Sequence, residues 1–133
     1  MAATLEPLIM PFPSFHAHVY YQPETAEVEV ARALREEIAR QFPVQLGRWH
    51  DVPVGPHVQA MYQIAFDAAH FAGVTQALME LHGNLPVLIH PNSDDPVADH
   101  TRLALWLGPQ LPVNVAFLEQ FAAKGGRVDG RVE

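Results

Sequence analysis

Four short segments hold the residues best suited to chemistry: His16-Ala17-His18, Gly55-Pro56-His57, His90-Pro91-Asn92 and Asp99-His100. They supply five of the chain's eight histidines. Imidazole is the commonest protein metal ligand and carries protons near neutral pH. Two histidines two apart on a strand point to the same side, because side chains there alternate with period two. A strand face of imidazoles reads first as a metal or proton-transfer site. A lone histidine is more often just hydrogen-bonded, so His50 in a turn, His70 on a helix surface and His82 near a helix C-terminus are assigned no chemistry.

The chain has no cysteine. A metal would meet only nitrogen and oxygen ligands, which suits Fe(II), Mn(II) or a histidine-rich zinc site, and neither a disulfide nor a thiol nucleophile is available. Ser14, Ser93 and Thr101 lie near histidines, but no nucleophile elbow accompanies them. No glycine-rich phosphate loop or dinucleotide fingerprint is present. Arg102 and Arg48 could fork onto a substrate carboxylate. Asn92, Ser93 and Asp95 could hold a polar substrate group, although their turn-forming tendency explains them equally well. Asp99 beside His100 could orient that imidazole.

These residues need a scaffold, and 133 residues of which 49 % are apolar and 17 % charged are enough for one domain with a core. The net charge of −7 disfavours nucleic acid and anionic membrane surfaces as partners. The first residues lack a basic n-region and are broken by Pro7, Pro11 and Pro13, unlike a secretory signal. No apolar run reaches membrane-spanning length. The expectation is a cytoplasmic protein with an N-terminal arm over 1–13, a domain over 14–124 and a mobile tail over 125–133.

Residues 14–21 alternate, with Phe15, Ala17, Val19 and Tyr21 on one side and His16, His18 and Tyr20 on the other, as in a half-buried strand. Thr25 is a candidate N-cap for a helix over 25–42 carrying Ala31, Leu34, Ile38 and Phe42, which Pro43 ends. A short strand over 44–49 and a turn-rich link follow. Residues 57–66 alternate again, with His57, Gln59, Met61 and Gln63 on the polar side. Asp67 caps a second helix with Phe71, Val74, Leu78 and Leu81 on one face, and Gly83 or Asn84 stops it. Strands over 85–90 and 101–107 and a helix over 114–124 complete the chain.

This order, β-α-β-β-α-β and then an extra C-terminal strand and short helix, predicts an α+β, ferredoxin-like sandwich. Right-handed crossovers give the strand order 4-1-3-2, with both helices on one face. The opposite face then gathers His16, His18 and Tyr20, His57 and Gln63, and Leu88 and His90. His57, at the far end of its strand, sits too far from His16 unless that strand twists or begins later. A face bearing Tyr20, Met61 and Leu88 is too apolar for water. The last strand and helix could cover it, or a second subunit; a homodimer with facing sheets is the favoured expectation.

Taken in order, His16-Ala17-His18-Val19-Tyr20-Tyr21, Pro53-Val54-Gly55-Pro56-His57, Leu88-Ile89-His90-Pro91-Asn92, Asp99-His100-Thr101 and Trp106-Leu107-Gly108 resemble the DOPA 4,5-dioxygenase family. The resemblance covers about residues 14–112. It departs from the family pattern at Val58, where proline is expected, and in the Asn-Ser-Asp-Asp loop after Pro91. It implies a ferredoxin-like, often dimeric protein that cleaves a catechol such as L-DOPA with O₂ at non-haem Fe(II); zinc or another divalent ion could take the site in purified protein. On that reading His18, His57 and His90 are the expected ligands, in an all-imidazole site or one completed by Asp99 or a water. His16 or His100 is the acid–base residue, and Tyr20 bonds a catechol oxygen. Asn92, Gln63 and Arg102 are the candidate substrate contacts. Two other classes stay open: a ferredoxin-like dimer that only binds a small molecule, and a cofactor-independent monooxygenase-like protein.

Overall fold

The computed structural model describes residues 11–124. Strand β1 spans Ser14–Tyr20, helix α1 Glu27–Gln41, β2 Gln45–Leu46 and β3 Met61–Asp67. A single 3₁₀ turn over Ala68–His70 leads into α2, Phe71–Leu81. Then come β4 (Val87–Pro91), the short α3 (Pro96–Asp99), β5 (Leu105–Leu107) and α4 (Val115–Ala123). Most of the expected N-terminal arm and the whole expected mobile tail lie outside the described residues.

The five strands form one antiparallel sheet in the order β2-β3-β1-β4-β5. Its first four positions are the 4-1-3-2 arrangement expected from right-handed crossovers, read from the opposite edge. Helices α1 and α2 bury their apolar stripes on one face. Ala31, Leu34 and Ile38 from α1, with Val74 and Leu78 from α2, meet Ala17, Val19, Tyr62, Ile64, Val87 and Ile89. The helical spacing of one set and the alternation of the other explain why these residues meet.

Local chemistry sets most element ends. Glu27 and Glu29 occupy the first turn of α1 and Arg40 its last, as the helix dipole favours. The N-cap position is Ala26, one residue later than expected. Thr25 still serves the terminus, because its hydroxyl oxygen accepts the Glu27 N–H at 3.2 Å. The Asp67 carboxylate accepts the His70 N–H. Gly83 follows α2 with φ of 60°, a backbone state that glycine enters without steric cost.

Three expected elements shift. The third strand starts at Met61, not at residue 57, because His57 N–H turns back onto the Val54 carbonyl at 3.0 Å through Gly55, whose φ is 55°. The strand expected over 44–49 shrinks to Gln45–Leu46. The one expected over 101–107 shrinks to Leu105–Leu107, because Asp95 caps α3 by accepting the Ala98 N–H at 3.0 Å.

The face away from α1 and α2 is covered by this chain itself. Tyr20, Met61 and Leu88 are at most 1 % exposed, under Val54, Ala104, Trp106, Leu111 and Val113. β5 does not lie across that face but extends the sheet edge beside β4. The apolar surface that motivated a facing-sheet dimer is therefore closed within one subunit.

Candidate metal centre

β1 and β4 bring the first imidazoles together by register. His16 pairs directly with His90, and His18 lies one step along on the same face. The Nε2 atoms of His18 and His90 stand 3.0 Å apart. One nitrogen each from His16, His18 and His90 fall within 4.8 Å of one another. His57 arrives from the loop before β3: its ring lies 4.1 Å from that of His18, and its Nδ1 is 2.7 Å from the Tyr20 hydroxyl. The His100 ring, just after α3, lies tilted 4.1 Å from that of His90 and 6.2 Å from that of His57. All five histidines are 3 % exposed or less.

The late start of β3 closes the gap that a strand from residue 57 would have opened. A free turn lets His57 fold back over the face, where a continuous strand would have carried it away at about 3.3 Å per residue.

Electrostatics keep His18 and His90 neutral. Burial pushes the His18 and His90 pKa values well below the usual imidazole range, and the neighbouring imidazoles push in the same direction. Neutral imidazoles have tautomers that their partners decide. His90 Nδ1–H donates to the Pro91 carbonyl at 2.8 Å, which leaves Nε2 as a bare lone pair. The contact with His18 then requires His18 Nε2–H to donate. His100 Nδ1–H donates to the Pro96 carbonyl at 2.7 Å and leaves its buried Nε2 basic.

The arrangement fits a divalent cation. Two imidazoles bound about 2.1 Å from an ion at a right angle have nitrogens about 3.0 Å apart, the separation found between His18 and His90. The donors gathered are imidazole nitrogens, suited to Fe(II) or Zn(II) rather than Mg(II) or Ca(II).

Asp99 does not join them. Both its oxygens turn to Ser93, one accepting the backbone N–H at 3.0 Å and the other the hydroxyl. Burial raises its pKa. The expected pairing of Asp99 with the His100 ring is absent, because Nδ1 takes the Pro96 carbonyl instead. The Ser93–Asp99 tie was not anticipated; its only sequence signal is a serine and an aspartate bracketing Asp95-Pro96, the start of a short capped helix.

The expected substrate contacts separate. Gln63 is fully buried opposite His18 across the β1–β3 pair. Asn92 anchors to the Ser14 hydroxyl at 3.0 Å, and its Oδ1 is buried without a hydrogen-bond partner among the described residues. Arg102 is exposed in the turn after His100, outside the buried cluster. The other histidines have local partners: His50 bridges to Met61, His70 contacts Asp67 at 2.6 Å and His82 Nδ1–H donates to the Leu85 carbonyl at 2.8 Å. No described helix is long and apolar enough to cross a membrane.

A family model, the Dopa 4,5-dioxygenase family, matches residues 15–117, a span that contains every histidine of the cluster. The chain belongs to the Dopa 4,5-dioxygenase family. A DOPA 4,5-dioxygenase of Amanita muscaria is 33 % identical over 111 residues, covering 78 % of this chain and 49 % of its own. An uncharacterised 21.2 kDa protein of Botryotinia fuckeliana is 32 % identical over 117 residues, covering 80 % of this chain and 64 % of its own. The chain thus spans about half of one of these curated relatives and just under two thirds of the other. The crystal structure of a proposed dioxygenase from Nostoc punctiforme superposes with a TM-score of 0.79 at 44 % identity, covering 83 % of this chain and 94 % of that one.

Proposed function

We propose that this family member is a non-haem Fe(II)-dependent extradiol dioxygenase that opens the ring of a catechol such as L-DOPA. The observation that carries the reading is the set of buried imidazoles on one sheet face, with His18 and His90 at ligand-pair spacing. Membership of a family that includes an Amanita muscaria DOPA 4,5-dioxygenase supplies the substrate class.

His16, His18 and His90 would hold the ion, His16 taking the place first expected for His57. Bound there, Fe(II) would supply the Lewis acidity and the electron that catechol and O₂ chemistry require. The remaining residues handle protons and orientation. His100 Nε2, left basic by its Nδ1–H bond to Pro96, accepts a catechol proton. Tyr20 and His57 share a proton across 2.7 Å, so this pair can give one back as the ring opens. Asn92 Oδ1 offers a buried acceptor to a donor group on the substrate tail. The cover of Val54, Trp106, Leu111 and Val113 keeps water from the reacting ring.

The test is anaerobic loading with Fe(II), then L-DOPA and O₂. A yellow ring-opened product with one iron per chain is expected. No retained iron and no product would reject the reading, and O₂ consumption that survives a chelator would favour the cofactor-independent class. Comparing His16→Ala with His57→Ala separates the ligand sets: the first should lose iron, the second should keep iron and lose rate.

A further inference from the structure

On the helix-covered side of the molecule, away from the imidazoles, α1 and the segment after β2 enclose a cleft lined by Arg32, Arg35, Glu36 and Trp49. Its volume is about 280 Å³, near the lower end for small-molecule pockets. Two of the chain's eight basic residues meet here, in a chain of net charge −7. Arg32 and Arg35 are three apart on one helix, so they project from neighbouring positions of the same face.

Aromatic rings form the wall. The Trp49 ring stacks with those of Tyr21 and Tyr62, at centroid distances of 4.4 Å and 5.3 Å. The Arg32 guanidinium lies 5.5 Å from the Trp49 ring and that of Arg35 4.9 Å from the Tyr62 ring. Arg35 Nη2 donates to the Gly47 carbonyl at 2.9 Å. Arg35 Nη1 is buried and has no hydrogen-bond partner among the described residues.

Neither nearby carboxylate forms an ion pair with these arginines among the described residues. Asp51 accepts from the Trp49 indole N–H and from the Tyr21 hydroxyl, both at 3.0 Å. With the Glu36 and Asp51 carboxylates beside the two guanidiniums, the surroundings disfavour a doubly charged phosphate more than a singly charged carboxylate.

We propose that this cleft is a second binding site, for a small carboxylic acid whose flat ring lies beside Trp49 and whose carboxylate takes the Arg32 guanidinium, with the Arg35 guanidinium adding positive charge beneath it. A guanidinium fork matches a carboxylate geometrically. The site is separate from the imidazole cluster and does not depend on the proposed reaction.

The probe is sodium benzoate, followed by the Trp49 indole N–H resonance, with sodium chloride as the ionic-strength control. A saturable shift at millimolar concentrations is expected. Arg32→Gln should weaken it by about tenfold, the loss expected for one charge-assisted hydrogen bond, with iron uptake unchanged. Arg35→Gln should weaken it too; because Arg35 also holds the Gly47 carbonyl, Arg32→Gln is the decisive variant. A shift that never saturates, or one undiminished in Arg32→Gln, would overturn the site. Tighter binding of inorganic phosphate than of benzoate would overturn the choice of ligand.

Discussion

The two faces of one sheet differ in everything but their strands. From β1, Ala17 and Val19 enter a layer of aliphatic and aromatic side chains under α1 and α2. Their neighbours His16, His18 and Tyr20 are as deeply buried on the other side, among imidazoles. The first face gains from burial, at roughly 25 cal/mol per Å² of apolar surface. The second accepts a cost, since a buried polar group destabilises unless it is bonded. A chain that seals five imidazoles under its own loops uses that face for something other than stability, and stability must come from the helix side.

The sharpest break between the faces is His18→Ala. It should abolish metal uptake and turnover while the chain stays folded, read by elemental analysis and circular dichroism. Next is Ile64→Ala, fully buried on the helix side. It should destabilise by about 2–5 kcal/mol in urea unfolding, while the protein that remains folded keeps the metal stoichiometry of wild type. If Ile64→Ala costs metal and His18→Ala costs mainly stability, the two faces do not divide the work.

Acid should strike the imidazole face first. The folded-state pKa values of His18 and His90 lie below the unfolded value of about 6.5. Below that pH the unfolded chain binds protons that the folded chain refuses. Metal-free stability should hold above about pH 6.5 and fall beneath it, by up to about 1.4 kcal/mol per pH unit for each histidine. A urea midpoint that stays flat from about pH 7 to about pH 5 would contradict the buried neutral state. His18→Ala should roughly halve the slope.

The smallest expected effect is that of Tyr20→Phe. It removes the hydroxyl that meets His57 at 2.7 Å but leaves the ring stacked 5.9 Å from Trp106. Stability should fall by about 1 kcal/mol. On the proposed mechanism, iron uptake should be unchanged and kcat should drop more than KM rises. Equal loss of iron would make Tyr20 a support of the ligand set rather than a proton carrier.

Much of this was legible along the chain, for a physical reason. Alternation in residues 14–21 and the 3.6-residue spacing of Ala31, Leu34 and Ile38 are local patterns, set by backbone geometry within a few residues. They assigned the faces of β1 and α1, and crossover handedness ordered the strands. His16, His18 and His90 follow from those rules alone. What reached too far was alternation continued through His57. The residues fit a strand, but Gly55 at φ 55° and the return of His57 N–H to Val54 win locally, and the pairing with β1 begins only at Met61.

The sequence by itself determined which side of the sheet each strand residue takes and that imidazoles from β1 and β4 share one side, because side-chain alternation and strand order are properties of the backbone. Only the tertiary structure decided that His57 and His100 come home to that cluster, that Asp99 turns to Ser93, and that Trp106, Leu111 and Val113 close over the face. Those outcomes depend on loops folding back across tens of residues, where competing hydrogen bonds and packing in three dimensions outweigh any local pattern.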